Sequence, residues 1–301
     1  MSRGFTESDV PDLTGKVIIV TGANAGIGFE AARAFAEHGA DVVMACRNPD
    51  KAQAARQRIQ ANNPSGDVIT LPLDLASLDS VRTFVAAYGE RYDRLDLLVN
   101  NAGVMIPPLG RTEQGFELQF GVNHLGHFAL TGLLLPLIQK TPGARVVNVS
   151  STAHRMGRMD FDDLNWERRD YSAGAAYGQS KLANLHFTFE LNRRLKDAGI
   201  DAMATAAHPG WAATDLQRHS GVIQFMNNFF AQSQDKGAWP TLMAALDDNA
   251  KGGEYYGPSG FMEMWGPASQ AFIADHARIP ADAQRLWDVS ESMTGVQYLS
   301  H

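Results

Sequence analysis

The 301-residue sequence predicts an α/β protein: one open, doubly wound parallel sheet with helices on both faces. Three observations carry that expectation. Short β-branched runs alternate with helix-length segments from residue 16 to residue 210. The runs are apolar throughout instead of alternating with polar residues, as in strands buried on both faces. The first run ends in a glycine-rich turn that opens a helix.

The elements follow in order. "KVIIVTG" (16–22) reads as a strand, and "IGFEAARAFAEHG" (27–39) as a helix stopped by Gly39. "ADVVMACR" (40–47) is a second strand, followed by a polar helix through "PDKAQAARQRIQANN". Further strands are expected at "DVITLPLDL" (67–75), "LDLLVNNAG" (95–103), "ARVVNVSS" (144–151) and "DAMATAAHPG" (201–210), each separated by helix-length sequence. After Gly210 the strand signals thin, and "YYGPSGFMEMWG" suggests loops around a short edge strand. No repeat or linker divides the chain. Residues 1–301 are therefore expected to form one domain, with a core at 14–210 and an extension of it at 211–301.

Composition narrows the function. The chain is 45% hydrophobic and 20% charged, enough for a sizeable core. Its net charge of −7 argues against a duplex-binding surface, which needs a basic stripe. Cys46 is the one cysteine, so no intrachain disulfide can form and a reducing compartment is expected. The opening "MSRGFTESDVPDLTGK" lacks an apolar signal region. The longest apolar run, Phe128 to Ile138, is interrupted by Thr131 and Gly132 and falls short of a membrane span. A cytoplasmic protein with a small-molecule substrate is the expectation.

"TGANAGIG" places Gly22, Gly26 and Gly28 between the first strand and its helix, with Asn24 and Ile27 among them. Such a turn brings backbone close to a ligand, and the helix N-terminus offers unpaired N–H groups and a positive dipole end to a pyrophosphate. The second strand ends in Arg47 and Asn48, with no acidic side chain at its tip. An acid there would hold a ribose 2′-hydroxyl, whereas arginine suits a 2′-phosphate. NADP(H) is therefore favoured over NAD(H), although Asp50 lies close by.

In "AYGQSKLANL" (176–185), Tyr177 and Lys181 are one helical turn apart on one face. A cation about 5 Å from a phenol, at an effective dielectric near 20, is worth roughly 3 kcal/mol, or a little over two pK units. Burial opposes that shift. The expectation is that the cation wins and Tyr177 is lowered toward neutrality.

Taken in order, "TGANAGIG", "LDL" (73–75), "NNAG" (100–103), Asn123, "NVSS" (148–151), Tyr177 with Lys181, and "HPGWAAT" (208–214) resemble the short-chain dehydrogenase/reductase family over nearly the whole chain. "ACRN", "VNHLGHF", "SKLAN" and "LWDVSE" are similar to its retinol dehydrogenase and WW-domain oxidoreductase branch. The resemblance implies a Rossmann-like fold and hydride transfer between nicotinamide and a carbonyl or alcohol. It implies that Tyr177 exchanges the proton, Ser151 orients the oxygen, Lys181 holds the nicotinamide ribose, and Asn123 positions a water beside Lys181. Ser150 is the substitute for Ser151. Asp74 and Leu75 would border the adenine, and Asn101, Ala102 and Gly103 would line the cofactor. Thr214 would hold the carboxamide after the turn at Pro209 and Gly210. Relatives often form homodimers or homotetramers, and either is possible here.

Other features are weighed lower. His124 and His127 lack an acidic partner at metal-ligand spacing and are expected to pack or hydrogen-bond, and His208 is expected to be structural. "GVIQFMNNFFAQ" (221–232) carries an apolar stripe that suits either a core or a substrate lid, the latter favouring a bulky, lipophilic substrate. Two other functions compete: an NADPH-binding regulatory protein without turnover, and an enzyme similar to protochlorophyllide reductase.

Overall fold

The computed structural model describes residues 4–210 and 233–299. Its centre is an eight-stranded sheet in the order β3-β2-β1-β4-β5-β6-β7-β8. The strands are β1 (Val17–Thr21), β2 (Asp41–Cys46), β3 (Val68–Pro72), β4 (Leu97–Asn100), β5 (Ala144–Val149), β6 (Ala202–Ala207), β7 (Tyr255–Pro258) and β8 (Ala268–Gln270). All neighbouring pairs are parallel except β7 with β8. The first six strands match the six apolar runs, trimmed by a few residues at their ends.

Both sheet faces are buried, which explains why the strands read as solid apolar runs. Ile18, Val20, Val42 and Met44 point into one core with Phe35 of α1 (Gly26–Glu37) and Ile59 of α2 (Pro49–Gln60). Val17, Ile19, Val43 and Ala45 point into the other. There they meet Phe84 of α3 (Leu78–Gly89), and further residues after β4. The segment after β4 contains the short α4 (Leu118–Phe120), a π-helical turn (Gly121–Leu125) and α5 (Gly126–Lys140). The long α6 (Ala173–Asp197) crosses from β5 to β6. Strand order reverses between β1 and β4, so the crevice beyond their carboxyl ends is where a ligand belongs.

The region after 210 holds more regular structure than its sequence suggested. It contains α7 (Gln234–Leu246), the β7–β8 hairpin and α8 (Pro280–Thr294). β7 is interior, and β8 forms the edge. Trp287 of α8 is buried against Phe128, Phe187 and Tyr298, so the tail completes a core.

The apolar run at 128–138 lies inside a longer helical stretch. Residues Leu118–Lys140 form 23 continuous residues that are apolar and long enough to cross a membrane, and 83% of the most apolar window is buried inside the protein. The stripe at 221–232, Trp211 and Thr214 lie outside the described residues.

Candidate active site

The glycine turn is built by close approach. Gly22 has φ +67, and a Cβ there would lie 3.0 Å from Ala102 Cα. A Cβ on Gly28 would come within 2.3 Å of Asn101 Nδ2 and 2.7 Å of the Gly22 carbonyl. Neither position admits a side chain without moving the strand β4 end. No side chain caps the N-terminus of α1, whose N-cap is Ala25. Its first N–H groups and its positive dipole end thus suit a pyrophosphate, and the residues present fit a dinucleotide.

Thr21, at the end of β1, ties this turn to β4. Its hydroxyl accepts from the Asn101 and Ala102 N–H groups, each at 2.9 Å. Asn101 Nδ2 donates back to the Thr21 carbonyl at 2.8 Å. Beneath the turn, the Cys46 thiol is pushed up to about 11 by burial, against the pull of the Ala23 and Asn24 N–H groups. Arg47 is exposed at the tip of β2. The Asn48 side chain accepts from Lys51 N–H at 2.9 Å and so caps α2, a role its position before Pro49 could have revealed. Asp74 Oδ1 accepts from the Ala76 N–H, and Leu75 is buried with its carbonyl close under Gly126.

The reacting groups gather at the end of β5. Tyr177 and Lys181 lie on the first turns of α6, with Lys181 Nζ 5.7 Å from the phenol ring centre. Lys181 is 5% exposed, and Nζ donates to the Val149 carbonyl at 3.1 Å, which leaves two of its three hydrogens for a ligand. Ser151 follows β5 and caps the 3₁₀ turn Thr152–Met156. Its hydroxyl is the one that acts on the Tyr177 phenol, drawing its pKa down, whereas the Ser150 hydroxyl is spent on the Lys181 carbonyl at 2.7 Å. The geometry thus brings Ser151, and not Ser150, to the phenol.

The expected downward shift of Tyr177 does not occur in the protein alone. Burial pushes the phenol up to about 12, and the Ser151 hydroxyl offsets only part of that. The same burial pushes Lys181 down to about 8. Sequence spacing gave the cation's distance but not the loss of water around both groups, and desolvation is the larger effect here.

Asn123 sits in the π-helical turn and is fully buried. Its amide oxygen accepts from the Val104 N–H at 2.8 Å, and its nitrogen donates to the Val104 carbonyl and to Ser180 Oγ. It therefore clamps the loop after β4 onto α6. A Cβ on Gly103 would lie 3.0 Å from Asn123 Oδ1 and 3.7 Å from Lys181 Nζ, so those two groups meet over Gly103. Pro209 and Gly210 follow β6 beside this site, with Gly210 at φ +69.

Three further residues support the site: His127, which hydrogen-bonds as expected, and Glu117 and Gln119, for which the sequence carried no expectation. His127 Nδ1 faces the Asn123 carbonyl at 3.0 Å, so that nitrogen carries the proton and Nε2 accepts from the Thr21 hydroxyl at 2.9 Å. Burial holds His127 at about 4, hence neutral. Glu117, fully buried, accepts from the Gln119 and Phe120 N–H groups and from the Tyr171 hydroxyl. Gln119 in turn donates to Tyr171 and to the Ala173 carbonyl at the start of α6. The i, i+4 spacing of Asn123 and His127 was the available signal for the first; nothing local marked the other two. His124 is likewise buried and faces Ser290 Oγ at 2.8 Å.

Comparison with known proteins agrees with this geometry. A family model described as short chain dehydrogenase matches residues 16–222. The human protein named retinol dehydrogenase 13 is 42% identical over 296 residues, covering 95% of this chain and 86% of that protein. A crystal structure of an uncharacterised protein from Mycobacterium paratuberculosis superposes with a TM-score of 0.83 at 41% identity, covering 98% of this chain and 99% of the other. The RhlG/NADP complex of Pseudomonas aeruginosa superposes with a TM-score of 0.66 at 26% identity, covering 81% and 94%. With its parallel sheet, glycine turn and Tyr–Lys helix, this chain belongs to the short-chain dehydrogenase family, and within it is similar to the retinol dehydrogenases.

Proposed function

We propose that the chain is an NADP(H)-dependent oxidoreductase that moves hydride between nicotinamide and the carbonyl or alcohol carbon of a bulky, lipophilic substrate. The observation that carries this reading is the convergence of the Tyr177 phenol, the Ser151 hydroxyl that acts on it and the buried Lys181 ammonium over Gly103, in a fold whose glycine turn leaves the α1 N-terminus uncapped. The names of the relatives suggest retinol or its aldehyde as the substrate class, and exposed Met156, Phe261, Met262 and Trp265 suit an apolar approach.

Bound in the crevice, the nicotinamide would supply or receive the hydride. At neutral pH the phenol is protonated, so Tyr177 can donate its hydrogen to a carbonyl oxygen as charge builds there. Ser151 then hydrogen-bonds the same oxygen and holds it at the phenol. Lys181, mainly cationic below about 8, would hold ribose hydroxyls of the cofactor and stabilise the phenolate that is left. In the oxidative direction these groups run in reverse.

Arg47 favours the 2′-phosphate by charge-assisted hydrogen bonding, and the NADP complex of the Pseudomonas relative is in keeping with it. We read residues 1–301 as one domain, and Cys46 as a buried free thiol suited to the cytoplasm. The test is a panel of aldehydes, ketones and alcohols, retinoids included, followed at the nicotinamide absorbance band with NADPH and NADH in parallel. Turnover with NADPH preferred is expected. Tight NADPH binding with no turnover across the panel would leave a regulatory role instead, and preference for NADH would overturn the assignment to Arg47.

A further inference from the structure

Glu263 stands out because of its backbone. Met262 and Glu263 have φ +51 and +58, two consecutive non-glycine residues in the left-handed region. Such residues are strained, and the strain persists only where surrounding contacts over-determine it. Here three hydrogen bonds converge on one carboxylate.

Glu263 Oε2 accepts from Arg155 Nη2 at 2.5 Å and from His208 Nε2 at 3.1 Å, while Oε1 accepts from the Phe272 N–H at 2.7 Å. His208 is 1% exposed, and its Nδ1 accepts from the Gly210 N–H at 3.2 Å. That bond leaves Nε2 as the protonated nitrogen of a neutral ring, correctly placed to donate to Glu263. Burial keeps His208 below its ordinary value, and the glutamate opposes this in part. Burial works to raise Glu263, yet His208, the Phe272 amide and Arg155 hold its carboxyl below the usual range.

The two arms end on the turns that follow the neighbouring strands β5 and β6. Arg155 belongs to the 3₁₀ turn that Ser151 caps. That same turn is pinned through His154, whose Nδ1 bonds the Ser151 carbonyl at 2.7 Å and whose Nε2 accepts from the Ala274 N–H at 3.3 Å. His208 belongs to the Pro-Gly turn after β6. There a Cβ on Gly210 would lie 2.6 Å from the Met264 carbonyl and 2.9 Å from that of Glu263, so the glutamate's own backbone presses on the turn. The Tyr255 ring lies between the arms, 5.1 Å from His208 and 5.4 Å from His154.

We propose that Glu263 is a positioning residue that braces the Ser151 turn against the Pro-Gly turn after β6, fixing the hydroxyl that orients the substrate relative to the wall beside the nicotinamide. The proposal rests on the oxidoreductase reading. Its energetic logic is that small misplacements of reacting groups cost far more in rate than in binding.

The test uses the full chain carrying Glu263→Ala, Glu263→Gln or Arg155→Ala. Hydrogen–deuterium exchange without cofactor is expected to rise about ten-fold in both 152–157 and 206–210 for Glu263→Ala, with α3 unchanged. Arg155→Ala, although it lies in the first segment, must also loosen the second, and this arm decides the matter if Glu263→Ala does not fold. In turnover, Glu263→Ala is expected to lose about ten-fold or more in kcat with KM within about three-fold, and Glu263→Gln, whose single amide oxygen can still accept from Arg155 and His208 but whose NH2 then faces the Phe272 N–H, to recover part of it. Exchange confined to 259–266, or unchanged kcat in a folded Glu263→Ala, would overturn the brace. If the unmodified chain turns over nothing, the oxidoreductase reading fails, and the exchange pattern alone then decides whether the brace exists.

Discussion

Gly28→Ala tests the cofactor cradle most sharply. The added methyl would lie 2.3 Å from Asn101 Nδ2, 3.1 Å from Asn101 Cγ and 2.7 Å from the Gly22 carbonyl. Asn101 cannot simply swing away, because its nitrogen is bonded to the Thr21 carbonyl at 2.8 Å and its own N–H to the Thr21 hydroxyl at 2.9 Å. Overpacking of a tight site costs about 1–3 kcal/mol, and a broken buried hydrogen bond adds about 1 kcal/mol or more. The helix propensity of alanine returns about 1 kcal/mol, so a net loss of about 1–3 kcal/mol is expected. Urea unfolding measures it. NADPH titration of the folded variant should show affinity weakened by about ten-fold or more, since the clash displaces the Asn101–Gly103 wall. Gly89→Ala is the control: it ends α3 with nothing within 4 Å of the added Cβ, so it should be neutral or stabilising by up to about 1 kcal/mol. Gly28→Ala as stable as the parent, with unchanged NADPH affinity, would refute the packing argument.

Two other expectations follow from charge. Burial holds His124 at about 3 and His127, His154 and His186 at about 4, against 6.5 when unfolded. The unfolded chain therefore binds more protons below 6.5, so stability falls with falling pH, by roughly 4 kcal/mol between pH 6.5 and 5.5 for the four together. Urea midpoints at the two pH values check it, and a flat profile would contradict neutral burial. Arg47→Ala should raise the KM for NADPH by about 10–100-fold while leaving that for NADH within a few-fold. Equal effects on both would mean that Arg47 does not meet the 2′-phosphate.

Much of the fold was legible because burial on both faces writes itself as unbroken apolar strands: the six runs from β1 to β6 need no tertiary information. The tail was less legible for identifiable reasons. α7 carries Gly237 and Pro240 inside it, which read locally as breaks, yet Ala238, Leu242 and Ala245 pack it against α1 and the sheet. β7 looked like an edge because only three residues of β8 pair beyond it. The Tyr177–Lys181 pair was visible from spacing alone. Its protonation was not, because desolvation depends on everything else that packs around β5 and α6. Residues that meet only through the fold left no local trace: His208 and Glu263 are 55 positions apart, and Glu117 and Tyr171 are 54. The π-helical turn at Gly121–Leu125 is of the same kind, since periodicity from Leu118 to Lys140 suggests nothing but continuous helix.

The account depends above all on the Tyr177 hydroxyl as the group that gives or takes the proton. Single-turnover reduction of a carbonyl that the parent accepts, with Tyr177→Phe and bound NADPH, addresses it directly. The ring and its packing remain, so NADPH affinity should stay within about three-fold, while the rate of nicotinamide oxidation should fall by about 10²–10⁴-fold, the range for loss of a general acid. A Tyr177→Phe protein that oxidises NADPH at the parent's rate would contradict the account.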